Sequence, residues 1–138
     1  MATQTITKAL CKSFDQPDEV REFNHGRLEL LNMEDLVVGK TILKPGWRWS
    51  KDVKPLVHTD SCQAQHMQYV ISGRLVVVLD DGVQLAIKAG DTVLIPPGHD
   101  AWVVGDEDFV AVDFAGMKDY ARELTPETTD VETEMLEF

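Results

Sequence analysis

From residue 27 to residue 114 the chain alternates short runs of β-formers with turn signals, and that rhythm confines it to an all-β fold. Residues 27–33 alternate polar and apolar, and 36–43 are rich in β-formers up to Pro45-Gly46. Residues 67–71 and 75–79 flank Ser72-Gly73-Arg74, and Asp80-Asp81-Gly82 is a hairpin signal with 83–87 as the return strand. Strands over 92–95, 101–104 and 109–114 follow, and 47–53 reads as a further one. Short strands at this spacing build a sandwich or a barrel. Ahead of them, Pro17-Asp18-Glu19 opens a turn of helix through Phe23, because proline and acids suit a first helical turn. Behind them, 117–124 has helical composition, and 125–138 is acidic and threonine-rich. The expected organisation is an N-terminal arm over 1–26, one barrel over 27–115, and a short C-terminal helix with an acidic tail over 116–138.

Composition sets the outer limits. The chain has 138 residues, room for one domain with a proper core. It is 43% hydrophobic and 27% charged, the balance of a soluble globular protein. No apolar run approaches the roughly 20 residues of a membrane span. The first ten residues carry one lysine and no apolar block, so no secretory signal is read there. A cytoplasmic protein with no membrane partner is expected. The net charge of −11 argues against nucleic acid as a partner, since phosphate contacts need a basic surface. Cys11 and Cys62 make no disulfide framework and are expected as free thiols.

Residues 90–99, Gly-Asp-Thr-Val-Leu-Ile-Pro-Pro-Gly-His, are the most specific stretch. A turn leads into four strand residues, which Pro96-Pro97-Gly98 end with a rigid bend. His99, a metal-competent side chain, follows at once. This stretch resembles the second motif of the cupin superfamily, and the rest of the chain resembles a small single-domain cupin. The first cupin motif opens on Pro-Gly, here Pro45-Gly46, and closes on glycine, here Gly73. The resemblance covers roughly residues 27–115. It implies an all-β jelly-roll barrel (a double-stranded β-helix of the RmlC-like kind), often metal-bearing, and a homodimer that covers exposed strand edges. The chain also looks like a cupin subgroup marked by Pro-Gly-Trp-Arg-Trp at 45–49, Asp-Ser-Cys at 60–62 and Pro-Pro-Gly-His-Asp-Ala-Trp at 96–102.

The usual cupin ligands, three histidines and a glutamate, are all replaced. Counting back from Gly73, the glutamate position falls on His66, and the two histidine positions fall on Asp60 and Cys62. The last histidine position falls on Ala101, with His99 two residues earlier on the same strand face. His66, His99, Cys62 and His58, just before the motif, are therefore the candidate metal ligands. Nitrogen and thiolate donors suit a divalent transition metal (Zn, Fe, Cu, Ni or Mn) better than magnesium or calcium. On a straight strand Cys62 and His66 stand about 13 Å apart, so they share an ion only if the chain bends between them. Thr59-Asp60-Ser61 is turn-prone and permits a bend.

Gln68 is a candidate ligand-binding residue inside the barrel. Trp49, with Trp47, offers an aromatic wall if that segment is extended, although core or dimer packing is the favoured reading of both. Asp113 is expected to face outward into solvent, and Trp102 to pack. Three readings stay open: a metal enzyme acting on a small molecule by oxygenase, isomerase or cyclase chemistry, a metal-free barrel that binds a small ligand, and a regulatory dimer with a filled interior. Fold alone does not separate them.

Overall fold

The computed structural model describes residues 6–117, 120 and 121. Nine strands carry the fold: β1 (Glu19–Phe23), β2 (Gly26–Met33), β3 (Leu36–Leu43), β4 (His66–Ser72), β5 (Arg74–Leu79), β6 (Gln84–Lys88), β7 (Thr92–Ile95), β8 (His99–Val104) and β9 (Phe109–Asp113). They form a six-stranded sheet, ordered β1-β2-β3-β9-β4-β7, facing a three-stranded one, ordered β6-β5-β8. Every pairing is antiparallel. The arrangement is all-β, as the strand–turn rhythm implies, and is the jelly roll that the cupin resemblance implies.

Period-two alternation decides what enters the barrel. In β4, His66, Gln68 and Val70 are buried while Met67, Tyr69 and Ile71 are exposed. In β8, His99, Ala101 and Val103 point inward, and in β9 Phe109, Ala111 and Asp113 do so. Leu28, Leu43, Val70, Val77 and Phe109 are almost fully buried and fill the space between the sheets.

Two local expectations are corrected. Residues 17–23 form no helical turn. Residues 19–23 pair with β2 over five registered positions, from Glu19 opposite Leu30 to Phe23 opposite Gly26. The open edge of β2 outweighs the local first-turn signal. Residues 47–53 are not a strand either: they lead into two short helices, α1 (Trp49–Asp52) and α2 (Lys54–Val57). Two carboxylates make that turn possible. Asp52 accepts the Arg48 N–H at 3.0 Å, and Asp100, on β8, accepts the Ser50 N–H at 3.0 Å. They satisfy donors that a helix start leaves open. The expected C-terminal helix and acidic tail fall almost entirely outside the described residues. Of that stretch, Gly116, Met117, Tyr120 and Ala121 are described, and all but Gly116 are buried.

Gly73 lets β4 turn into β5. Its φ is +80°, and a Cβ there would meet the backbone of Asp108 and lie 2.7 Å from the Cα of Phe109. Left-handed backbone with a Cβ costs about 1–2 kcal/mol, and overpacking against main chain roughly 1–3 more. Gly73→Ala is expected to lower unfolding stability by about 3 kcal/mol in a urea titration. A wild-type midpoint would show that the turn relaxes freely.

Candidate metal and ligand site

The site begins with a backbone clamp. Cys62 lies outside the named strands but bridges β8: its N–H donates to the His99 carbonyl at 2.7 Å, and its own carbonyl accepts from the Gly98 N–H at 2.7 Å. Gly98 adopts φ +91°, which closes the Pro96-Pro97-Gly98 bend and delivers His99 to the start of β8. Residues 63–65 then leave the clamp as irregular chain before β4 starts at His66. That bend replaces the roughly 13 Å of a straight strand with a Cys62 Sγ to His66 Nε2 distance of 3.9 Å.

Cys62, His66 and His99 thus converge, with one ligand atom from each lying within 4.8 Å of the others. All three are buried, at 3%, 5% and 4% exposure. Of the four ligands expected from the sequence, the structure leaves out His58. It is exposed and sits at φ 60° as the last residue of α2's cap, its N–H bonded to the Lys54 carbonyl. A bend at 59–61 turns the chain into the barrel only after His58.

Each histidine is oriented by what its other nitrogen does. His66 Nδ1–H donates to Asp113 Oδ2 at 2.6 Å, and His99 Nδ1–H donates to the Pro96 carbonyl at 2.8 Å. A carboxylate and a carbonyl only accept, so each Nδ1 carries a proton, and the Nε2 of each ring is the nitrogen left for other partners, which for His66 is the Cys62 thiol at 3.9 Å. Their rings meet edge to face at 5.2 Å between centroids, and Tyr120 packs on His66 at 5.6 Å. Asp113 corrects the expectation of a solvated side chain: its exposure is 0%. The β9 register places it opposite Gln68, whose Nε2 donates to the same Oδ2 at 3.0 Å.

Burial sets the protonation states. It pushes the Cys62 thiol up to about 12, with Asp113 and Asp100 adding to the rise. It pushes His99 down to about 4, helped by the neighbouring His66 ring. The Tyr120 phenol is likewise held well above its ordinary value by burial. Cys62, His66 and Asp113 have the order of a nucleophile, base and orienting acid. A thiol near 12 that stands 3.9 Å from its base is not armed for that role, however.

The His99 shift has a stability consequence. An unfolded histidine takes a proton near pH 6.5 while the folded one resists until about 4, so between those values the unfolded state binds more protons. Stability is therefore full above pH 6.5 and falls as pH drops, by about 3 kcal/mol at pH 4. In His99→Gln that part of the acid sensitivity is expected to vanish from the pH dependence of urea unfolding. An unchanged acid limb would locate it elsewhere.

The donor set fits a transition metal. Ligand atoms held 2.0–2.3 Å from a tetrahedral ion stand roughly 3.3–3.6 Å apart, close to the observed thiol–imidazole spacing. A cavity of about 30 Å³ adjoins the group, lined by His66, Gln68, His99, Trp47, Trp49 and Thr41 among others. Gln68 and Trp49, singled out from the sequence, both lie on its wall, Trp49 from α1 rather than from a strand.

A protein-family model described as a cupin domain matches residues 39–114. The chain belongs to the cupins. A search of curated proteins returned no match. Among solved structures, the barrel is similar to an RmlC-like cupin from Shewanella frigidimarina, with a TM-score of 0.54 and 17% identity over 83% of this chain and 98% of that one. It is similar to the oxalate decarboxylase of Lactobacillus farciminis, solved as a formate complex, with a TM-score of 0.54 and 16% identity. That match covers 86% of this chain and 40% of the decarboxylase. A Photorhabdus luminescens protein matches over 96% of this chain and all of its own length, with a TM-score of 0.50 and 16% identity. At these identities the likeness concerns the fold. Among the described residues, the group that could hold a metal ion is Cys62, His66 and His99. No helix among the described residues is long and apolar enough to cross a membrane.

Proposed function

We propose that this cupin binds a divalent transition metal in its barrel through Cys62, His66 and His99, and presents it to a small molecule entering the adjoining cavity. The observation that carries the reading is the pair of Nδ1 tethers, to Asp113 and to the Pro96 carbonyl, which occupy one nitrogen of each ring and leave Nε2 as the one available to an ion. Second partners of this kind are what metal-ligating histidines carry. One thiolate and two imidazoles favour zinc or copper over manganese, with iron and nickel between them. When bound, such an ion supplies Lewis-acid polarisation of a substrate oxygen or, for copper or iron, redox chemistry. This chain's own contribution is orientation, exclusion of water by Trp47, Trp49 and Phe109, and a neutral imidazole at His99. Oxygenase, isomerase or cyclase chemistry is the class that the cupin resemblance implies. The reading includes a homodimer, supported by exposed apolar residues on the outer sheet face, including Met67, Tyr69, Ile71 and Leu94.

Elemental analysis of purified, untagged protein tests it, together with titration by Co²⁺, which gives a thiolate charge-transfer absorption only if sulfur binds. A near-stoichiometric metal and that absorption are expected. A metal-free parent that also refuses added zinc, iron, copper, nickel and manganese would overturn the metal reading. One observation would then favour metal-free ligand binding: several polar atoms around the cavity have no partner.

A further inference from the structure

Three buried side-chain atoms have no hydrogen-bond partner among the described residues: Thr41 Oγ1, the Trp47 indole Nε1 and Gln68 Oε1. They come from different parts of the fold, β3, the loop before α1, and β4, yet all three residues line the cavity that His66 and His99 also line. Their exposures are 3%, 3% and 6%. Native interiors rarely leave such atoms unpaired, because desolvation without a replacement bond is costly.

The three atoms are not alike. The indole only donates. Gln68 Oε1 only accepts, because its amide nitrogen is committed to Asp113 at 3.0 Å. The threonine hydroxyl does either. A partner that satisfies all three must carry an acceptor and a donor close together. The cavity of about 30 Å³ limits the enclosed part of that partner to a few heavy atoms.

Charge narrows the class. Among the described residues no lysine or arginine lines the cavity, and the acidic Asp113 lies behind its wall. An anion there would be buried with no lysine or arginine among those residues to pair with it. With a divalent ion on the three ligands, the Cys62 thiolate and the Asp113 carboxylate already balance its two charges. A neutral guest is favoured in both states. We infer that the cavity takes a small uncharged molecule with a hydrogen-bond acceptor and donor on neighbouring atoms, an amide or a hydroxycarbonyl compound, rather than a carboxylate. The inference rests on this cavity being the ligand site, as in the reading above, and it holds with or without the metal.

Acetamide and acetate, matched in size and shape, test it, with hydroxyacetone beside them to separate the amide from the hydroxycarbonyl case. The readout is the indole N–H resonance of Trp47 in ¹⁵N-labelled protein, assigned as the signal absent from Trp47→Phe. Metal content is measured on the same samples. Acetamide or hydroxyacetone is expected to shift this resonance at about tenfold lower concentration than acetate. Thr41→Val is expected to weaken that response by about tenfold, the worth of one good hydrogen bond, with metal content unchanged. Acetate binding as well as or better than the neutral probes overturns the inference, and so does an unchanged response in Thr41→Val. Failure of every probe leaves ordered water as the partner of these atoms and also overturns it. A zinc-loaded protein that ignores the neutral probes sinks this inference alone. A protein that takes no metal and still binds acetamide sinks the metal reading alone.

Discussion

Metal affinity is expected to rise about tenfold for each pH unit between pH 7 and 9 and to fall by well over 100-fold in Cys62→Ser. The slope follows from the thiol. With its pKa pushed up to about 12, Cys62 enters the site protonated and must release one proton to become a ligand. Losing that proton at pH 7 costs about 4 kcal/mol more than for a thiol at the ordinary 9.0, at 1.36 kcal/mol per unit, whereas zinc bound by cysteine and histidine is worth roughly 10–16 at pH 7 with ordinary thiol ionisation already counted. The metal wins, but by a margin that grows as pH rises toward the thiol pKa. His99 adds nothing to the slope in this range, since a pKa of about 4 leaves it already neutral. Competition against a chelator of known affinity, repeated across pH, gives both quantities. In Cys62→Ser the residual binding should lose the thiol's share of the slope. His99→Ala should lose affinity while keeping that slope, because Cys62 still has to ionise. Uptake that is strong and independent of pH in the parent protein would mean that sulfur is not a ligand.

The sequence makes the barrel legible because its strands are short, alternate cleanly and end on glycine, proline or paired acids. Leu36–Leu43, Thr92–Ile95 and the Asp80-Asp81-Gly82 hairpin appear where local chemistry places them. What escapes local reading depends on partners far along the chain. The α1 helix starts where Ser50 finds the carboxylate of Asp100, 50 residues away. The β1 strand exists because the edge of β2 is open to it. The inward face of Asp113 depends on the register of β9 against β4, which a single strand does not encode. The candidate site divides along the same line. His66 and Cys62 are readable from motif position, and His99 from the strand face it shares with position 101. Their convergence requires the Cys62–His99 bridge and the irregular residues 63–65, features of the closed barrel. His58 looks equivalent in sequence, but the bend falls on its barrel side and leaves it in solvent.

Asp113→Asn should cost about 3–5 kcal/mol of stability and lower metal affinity 10–100-fold, although it changes one atom. The wild-type carboxylate accepts on both oxygens. Oδ2 takes His66 Nδ1 and Gln68 Nε2, at 2.6 and 3.0 Å. Oδ1 takes the Ala115 N–H at 2.9 Å and the Met67 N–H at 3.4 Å. All four partners are donors, and only a carboxylate can receive them from both sides. An asparagine must turn its amide nitrogen toward one pair, setting donor against donor in a site of 0% exposure. If the amide oxygen faces the side chains, His66 keeps its orientation and the backbone near Met67 and Ala115 bears the cost. If it faces the backbone, His66 loses its tether, and the proton is free to move to Nε2, the atom needed for the metal. Urea unfolding of the metal-free protein reads the first effect, and chelator competition reads the second. Loss of stability with full metal affinity would make Asp113 a structural anchor of the β4–β9 pair. Loss of both, the expected outcome, would make it the group that aims His66 at the ion.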